Sequence, residues 1–237
     1  MEKEIEYQVG DKKHIGYLVS EDENEKPVVL VCHAFEGRNE VAMEYARFFS
    51  KLGYVGFAVD FFGEKKVETN LEGCMSKITP FFEDRSLTTG VLSSAIEAVK
   101  KEECVNPDKI GAIGFCFGGM CVLDLARNHD AIKGVVSVHG ILSSPGLDGL
   151  KKIHAKVLAL HGYKDPQVPQ EQILEFMKEM DEKKGDWQLH YYGEAKHAFT
   201  DPKAREIGPE KMGREYNERA TSRMKKSVCA FFQEIFS

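Results

Sequence analysis

One short segment restricts the fold of this chain more than any other part of the sequence. Residues 110–113 form an apolar run, the six residues 114–119 read GFCFGG, and a helical pattern follows directly. At a sharp turn from a strand into a helix, the residue at the apex is crowded by backbone on both sides, so glycine is needed next to it. The segment therefore predicts a strand, a tight turn with Cys116 at its apex, and a helix.

The position of Cys116 at this turn predicts a reactive side chain. The turn leaves the thiol projecting into a cleft at a helix N-terminus, where unpaired N–H groups and the helix dipole favour the thiolate. A cysteine inside an apolar stretch is otherwise more often a small buried hydrophobic residue. The choice between these two interpretations depends on which groups accompany Cys116.

An acid and a histidine follow later strands in the order that would complete a nucleophilic site. Residues 157–162 are an apolar run, typical of a strand buried on both faces, and Asp165 follows it. Residues 187–192 alternate like a strand and lead to His197. Because open α/β sheets gather functional groups at the carboxyl ends of their strands, we expect Cys116, Asp165 and His197 to meet as nucleophile, acid and base.

Other acids and histidines fit these roles less well. Asp60 and Asp148 precede the strand that is expected to carry the acid. Three further histidines adjoin strand ends, where such residues more often shape a loop or the floor of a pocket: His33, His139 and His161.

The rest of the pattern predicts an α/β architecture. Residues 2–19 read as a hairpin, 27–32 and 54–60 as buried strands, and 40–52 and 216–236 as amphipathic helices. Alternation of strands and helices favours parallel pairing with right-handed crossovers. The polar stretch 63–84 lacks strand signals and is expected to run irregularly near the cleft, with Phe81 and Phe82 either lining the pocket or anchoring the stretch to the core.

Three segments resemble the dienelactone hydrolase family, a cysteine-nucleophile branch of the α/β-hydrolases. They are GFCFGG at 114–119, GYKDPQVP at 162–169 and KHAF at 196–199, and the resemblance extends over roughly residues 10–237. It implies the α/β-hydrolase fold, a doubly wound and mostly parallel sheet with helices on both faces. We expect residues 1–237 to form a single domain of this kind.

The resemblance also implies an activity and a role for each residue. Cys116 would attack the carbonyl of a small-molecule ester or lactone to give an acyl-thioester, His197 would transfer the proton, and Asp165 would orient the imidazole. The backbone N–H of Phe117 and, by its position in the loop after the third strand, that of Phe35 would form the oxyanion hole. We expect no cofactor.

Two positions depart from the family pattern and affect the expected substrate contacts. Well-known members carry a glutamate that engages the resting thiol where this chain has Ala34; Glu36 is the nearest acid and either takes over that task or faces solvent. They also carry a carboxylate-binding arginine where this chain has Asp201. Arg85 is a second candidate for binding the substrate, and Lys203 could partly compensate.

Composition restricts the remaining possibilities. A net charge of −6 without a basic cluster argues against a nucleic-acid partner. The charged N-terminus does not read as a secretory signal, and no apolar run approaches the ~20 residues that span a bilayer, so we expect a soluble cytoplasmic protein, monomeric or homodimeric. The six cysteines are then expected to be reduced, and the eight scattered histidines predict no metal site.

Two other functions remain open at this stage. The same three residues could serve a thioesterase or an acyl transferase. Alternatively, the fold could act as a binding or redox-sensing module with a reactive cysteine and no turnover.

Overall fold

Strands and helices alternate along most of the chain. A computed structural model describes residues 1–145 and 151–237. In these residues one sheet contains the strands β1 (Glu2–Val9), β2 (Lys12–Val19), β3 (Lys26–Cys32), β4 (Val55–Ala58), β5 (Val105–Phe115), β6 (Gly134–Val138), β7 (Lys156–Gly162) and β8 (Asp186–Tyr192). The α-helices are α1 (Glu40–Lys51), α2 (Leu71–Glu83), α3 (Ser86–Val99), α4 (Phe117–Asn128), α5 (Gln170–Glu182) and α6 (Glu218–Phe236).

The order of the strands creates a crevice at one point of the sheet. The order is β1-β2-β4-β3-β5-β6-β7-β8, with β1, β2 and β4 paired antiparallel and all pairs from β4 to β8 parallel. From β3 the chain first winds outward to β4 and then crosses back to β5. Such a reversal leaves a crevice beyond the carboxyl ends of the two central strands, which is where ligands bind in open α/β sheets.

The central strands are covered on both faces, as the apolar sequence of β3 predicts. Val28 and Leu30 point into the apolar layer that contains α3 and α4, whereas Val29 and Val31 point into the layer formed with α1 and α6. Successive side chains of a strand alternate between faces, so an all-apolar strand needs helices on both. The doubly wound, mostly parallel fold is therefore confirmed, as are the N-terminal hairpin and the C-terminal helix.

The prediction that residues 63–84 run irregularly is wrong in part, because α2 occupies the second half of this stretch. Asn70 caps this helix by accepting a hydrogen bond from the backbone N–H of Gly73. Cys74, Ile78 and Phe81 form its buried face at helical spacing. Pro80 lies inside the helix. Because a proline normally ends or kinks a helix, its presence argued against a helix in the sequence despite this short apolar stripe.

Candidate active site

The turn between β5 and α4 holds Cys116 in a strained backbone conformation. Its φ is +53° and its ψ is −113°, outside the region that a side chain normally allows. A Cβ at Gly114 would lie 1.9 Å from the carbonyl oxygen of Gly118, and a Cβ at Gly118 would lie 2.3 Å from that of Cys32. Glycine is therefore required on both sides of the turn, which fixes Cys116 beside the crevice between β3 and β5.

The structure brings the three residues of the expected triad together. His197 Nε2 lies 3.0 Å from Cys116 Sγ, and His197 Nδ1 lies 2.8 Å from Asp165 Oδ2. The other carboxylate oxygen, Asp165 Oδ1, accepts a hydrogen bond of 2.8 Å from the backbone N–H of Gln167. Asp165 follows β7 and His197 follows β8, so the three groups converge from the ends of different strands.

The electrostatics of this cluster favour a charged imidazole. Burial alone lowers the pKa of His197, but the charge of Cys116 and the hydrogen bond to Asp165 act in the other direction and raise it to about 10. The charge that raises the pKa of the ring belongs to the sulfur of Cys116, which lies 3.0 Å from Nε2. The arrangement therefore favours a protonated His197 next to the sulfur.

Three neighbouring histidines are kept neutral. Burial lowers the pKa of His33 and of His161 to about 4, and it lowers that of His139 well below its usual range. His139 Nδ1 accepts a hydrogen bond from the backbone N–H of Cys116, so its Nε2 donates to the hydroxyl of Thr200. His139 thus supports the turn.

Two cavities meet at Cys116. The larger, of about 150 Å³, is mostly apolar, and Phe35, Phe82 and Ile141 are among the residues that line it. The smaller, of about 30 Å³, extends toward His33 and His139. The larger cavity is the space that a bound acyl or lactone group could occupy next to the sulfur.

Arg214 lines both cavities and is a site residue that the sequence did not reveal. Its Nη2 donates a hydrogen bond of 2.8 Å to Glu36 Oε1 and lies 3.5 Å from Asp201 Oδ2. The guanidinium carbon is 4.3 Å from the centre of the Phe35 ring. Arg214 comes from an irregular segment before α6, where no periodic pattern marks it. Glu36 is buried in this ion pair and does not face solvent.

Arg85 does not reach this site, contrary to the prediction that it binds substrate. Its Nε and Nη2 donate two hydrogen bonds of 2.7 and 2.8 Å to the carboxylate of Asp124 on α4, and Nη2 also contacts the carbonyl oxygen of Ser143. Asp124 is buried, and Arg85 and Arg127 together compensate its charge. Arg85 is therefore a structural cation.

The alternative acids lie elsewhere. Asp60 is fully buried and binds the loop that follows β4. Its oxygens accept hydrogen bonds from four backbone N–H groups, those of Ile15, Phe62, Gly63 and Lys65. Asp148 lies outside the described residues.

The two expected oxyanion-hole residues flank the crevice. Phe117 is the first residue of α4, where backbone N–H groups lack partners within the helix. Phe35 lies in the loop after β3, and its side chain lines the larger cavity together with that of Phe117. Both residues therefore line the same cavity as Cys116.

Neither a membrane span nor a metal cluster is found in the described residues. None of their helices combines the length and the apolar character that crossing a bilayer requires. No three His, Cys, Asp or Glu side chains among residues 1–145 and 151–237 are grouped so that they could hold a metal ion.

Comparison with known proteins identifies the family. A model of the dienelactone hydrolase family matches residues 15–236. The chain belongs to the dienelactone hydrolase family. Members hydrolyse small esters or lactones, and the protein is accordingly an enzyme of the hydrolase class.

Individual relatives agree with this assignment. A dienelactone hydrolase-like promiscuous phosphotriesterase from metagenomic libraries superposes with a TM-score of 0.95 at 32% identity, covering 100% of this chain and 99% of that one. A carboxymethylenebutenolidase homolog of Xenopus tropicalis is 26% identical over 205 residues, which are 84% of this chain and 80% of the relative. The dienelactone hydrolase of Anabaena variabilis shares the fold, with a TM-score of 0.70 at 19% identity, 100% coverage of this chain and 99% of that one.

Proposed function

We propose that this dienelactone hydrolase family member cleaves small esters or lactones through a thioester on Cys116. The observation that carries the proposal is the unbroken chain from sulfur to imidazole to carboxylate, with contacts of 3.0 and 2.8 Å. A thiolate made by a neighbouring imidazole is a strong nucleophile, and a buried carboxylate keeps the ring in the orientation needed.

The reaction follows from these positions. The Cys116 thiolate attacks the carbonyl carbon, a C–S bond forms, and the carbonyl oxygen takes the negative charge. When this intermediate collapses, the C–O bond breaks and His197 Nε2–H protonates the leaving alkoxide, which stays attached to the acyl group when the substrate is a lactone. Neutral His197 then takes a proton from water, the resulting hydroxide attacks the thioester, and the carboxylic acid leaves as the thiolate and imidazolium form again.

The negative charge on the carbonyl oxygen needs hydrogen-bond donors. We assign this role to the backbone N–H groups of Phe117 and Phe35. Two positions support the assignment: Phe117 begins α4 directly after Cys116, and Phe35 lies in the loop after β3 and lines the same cavity. Donors that the fold already holds in place stabilise a developing oxyanion without reorganisation.

The charges around Arg214 favour a neutral substrate. One guanidinium faces two carboxylates, Glu36 and Asp201, so its positive charge is already compensated before a substrate enters. An anionic substrate would have to displace one carboxylate or accept repulsion from the other. We therefore propose neutral esters or lactones as the substrate class, rather than dienelactone, whose carboxylate would be repelled.

Steady-state hydrolysis of p-nitrophenyl acetate and of a neutral lactone tests the proposal. We expect Cys116→Ala and His197→Ala to lose roughly a thousand-fold or more in kcat/KM. Cys229→Ala, which alters the other partly exposed thiol, should retain activity. Rapid quenching should trap an acyl group on Cys116 by mass spectrometry. If wild type is no faster than Cys116→Ala with esters, lactones and thioesters, the proposal is wrong.

Two comparisons resolve the substrate and the alternative activity. A neutral ester should be hydrolysed faster than a matched ester that carries a free carboxylate, and the reverse order would contradict the argument from Arg214. An acyl transferase or thioesterase would use the same three residues. A preference for transfer to an added alcohol or amine over water, or for thioesters over oxygen esters, would favour those activities instead.

A further inference from the structure

A second and larger cavity lies away from the sulfur, between the N-terminal hairpin and the helices α2 and α3. It is an open groove of about 420 Å³, within the range of about 300–1,000 Å³ that small-molecule sites usually occupy. Its wall includes Phe61, Phe81 and Val91, and Leu87 at its edge is 41% exposed. This apolar surface is large enough to bury the hydrocarbon part of a ligand.

A layer of aromatic rings separates this groove from the candidate active site. The ring centre of Phe117 lies 5.4 Å from that of Phe61 and 5.2 Å from that of Phe81. Phe61 and Phe81 line the groove, whereas Phe117 lines the larger cavity at Cys116. The groove is therefore a distinct site, and binding there does not require contact with the proposed nucleophile.

A glycine in the middle of α3 keeps the groove open. Gly90 lines the groove, and a Cβ placed on it would meet no atom within 4 Å. Neither close packing nor a positive φ requires glycine here. Glycine in a helix interior destabilises the helix relative to alanine, because it loses more backbone freedom on folding. Because Gly90 has no side chain, the volume next to it stays empty.

The charges of the groove have one sign. Among its described lining residues, the only side chains with a permanent charge are Lys12 and Lys77, both cationic, on a chain whose net charge is −6. Lys77 has a carboxylate partner at 3.8 Å, that of Glu68, which is outside the ideal range for a hydrogen bond. The buried His14 ring also lines the groove, and its Nδ1 is held by a 2.7 Å contact with the carbonyl oxygen of Asp60. The polar groups of the groove thus offer positive charge and donors to an anion.

We propose that this groove binds a small amphiphilic carboxylate of the medium-chain fatty acid type. The apolar wall above Gly90 takes the hydrocarbon chain, and Lys12 and Lys77 bind the carboxylate. Two features favour an anionic occupant over a purely apolar or a cationic one: the two lysines, and the lack of a carboxylate among the described lining residues. The proposal is independent of the reaction at Cys116.

Isothermal titration calorimetry with dodecanoate, below its micelle concentration, tests this site. We expect one dodecanoate per chain. Gly90→Met should weaken binding by about tenfold or more, because its side chain starts where an added Cβ meets no atom within 4 Å and extends into the groove. Gly90→Ala adds one methyl group and should bind nearly as well as wild type. Lys12→Gln combined with Lys77→Gln should weaken dodecanoate roughly tenfold and leave the neutral dodecanol unchanged.

Several results would overturn the proposal. One is the lack of any dodecanoate binding to wild type. Equal binding to Gly90→Met and wild type would place the ligand elsewhere, and loss of binding after alkylation of Cys116 would place it in the candidate active site. Equal affinity for dodecanol and dodecanoate would show that the two lysines do not bind the carboxylate. Self-association of wild type that Gly90→Met abolishes would show that a second copy of the chain covers the groove.

Discussion

Replacing Asp165 by asparagine separates the orientation of His197 from its presence in the site. Asp165 accepts two hydrogen bonds of 2.8 Å, one on Oδ1 from the backbone N–H of Gln167 and one on Oδ2 from His197 Nδ1. An asparagine has a single acceptor oxygen, and a backbone N–H can only donate, so the oxygen should stay with Gln167. The amide NH₂ then faces Nδ1 and forces the tautomer that carries its proton on Nε2.

That tautomer cannot accept the proton of Cys116. The side chains of Asp165 and His197 are 0% and 1% exposed, so water cannot replace the lost interaction. We expect kcat/KM of Asp165→Asn for a neutral ester at pH 7 to fall roughly a thousand- to ten-thousand-fold, the scale seen when a triad histidine is held in the wrong tautomer. This corresponds to about 4–5 kcal/mol of transition-state stabilisation.

Stopped-flow or steady-state hydrolysis of p-nitrophenyl acetate between pH 6 and 10 measures this loss. The activity of Asp165→Asn should recover as the pH rises, because hydroxide can remove the thiol proton that His197 no longer takes. Unfolding by urea should show that the variant remains folded. A kcat/KM within tenfold of wild type at pH 7, in a folded variant, would refute the reasoning.

Two further outcomes follow from other groups. Because the pKa of His197 is raised to about 10, its imidazolium should persist to about that pH in wild type. In Cys116→Ala the same ring should lose its proton at lower pH, since burial remains and the charge of the sulfur is gone. NMR of the histidine side chains measures both titrations, and identical curves would contradict the effect of the sulfur on the ring. Arg127, 3% exposed in its side chain, binds Asp124 at 3.0 Å and Glu179 at 2.7 Å, so Arg127→Met should lower the free energy of unfolding by about 3 kcal/mol in urea titrations. A loss below about 0.5 kcal/mol, typical of surface changes, would contradict this account.

The parts of the fold that follow from local patterns could be predicted from the sequence. The apolar run before Cys116 and the glycines around it predicted the strand, the turn and the helix. This prediction worked because only glycine allows the close backbone contact at Gly118. The order of Cys116, Asp165 and His197 along the chain predicted that their side chains lie close together, since parallel strands present their carboxyl ends at one edge of a sheet. These inferences needed only neighbours in sequence and one rule of topology.

Arg214 and Arg85 show where such reasoning ends. Both are arginines in non-repeating surroundings, and nothing local distinguishes them. One reaches the cavities through a segment without regular structure, and the other binds Asp124 on a helix that follows it by more than thirty residues. Which carboxylate an arginine finds depends on tertiary packing. Helix α2 was missed for a related reason, because packing of Ile78 and Phe81 outweighs the local effect of Pro80.

The segment that carries Arg214 is joined by hydrogen bonds to the backbone of His197. Cys116, Asp165 and His197 stand on the ends of strands and on turns that tolerate almost no variation in backbone. Arg214 belongs to the stretch between His197 and α6. In this stretch Gly213 O accepts a hydrogen bond of 3.0 Å from the N–H of His197, and the N–H of Glu215 donates one of 3.0 Å to His197 O. Altering the length of that stretch would therefore move His197 as well, so libraries that aim at new substrate preferences should vary its side chains, Arg214 among them, and keep its length.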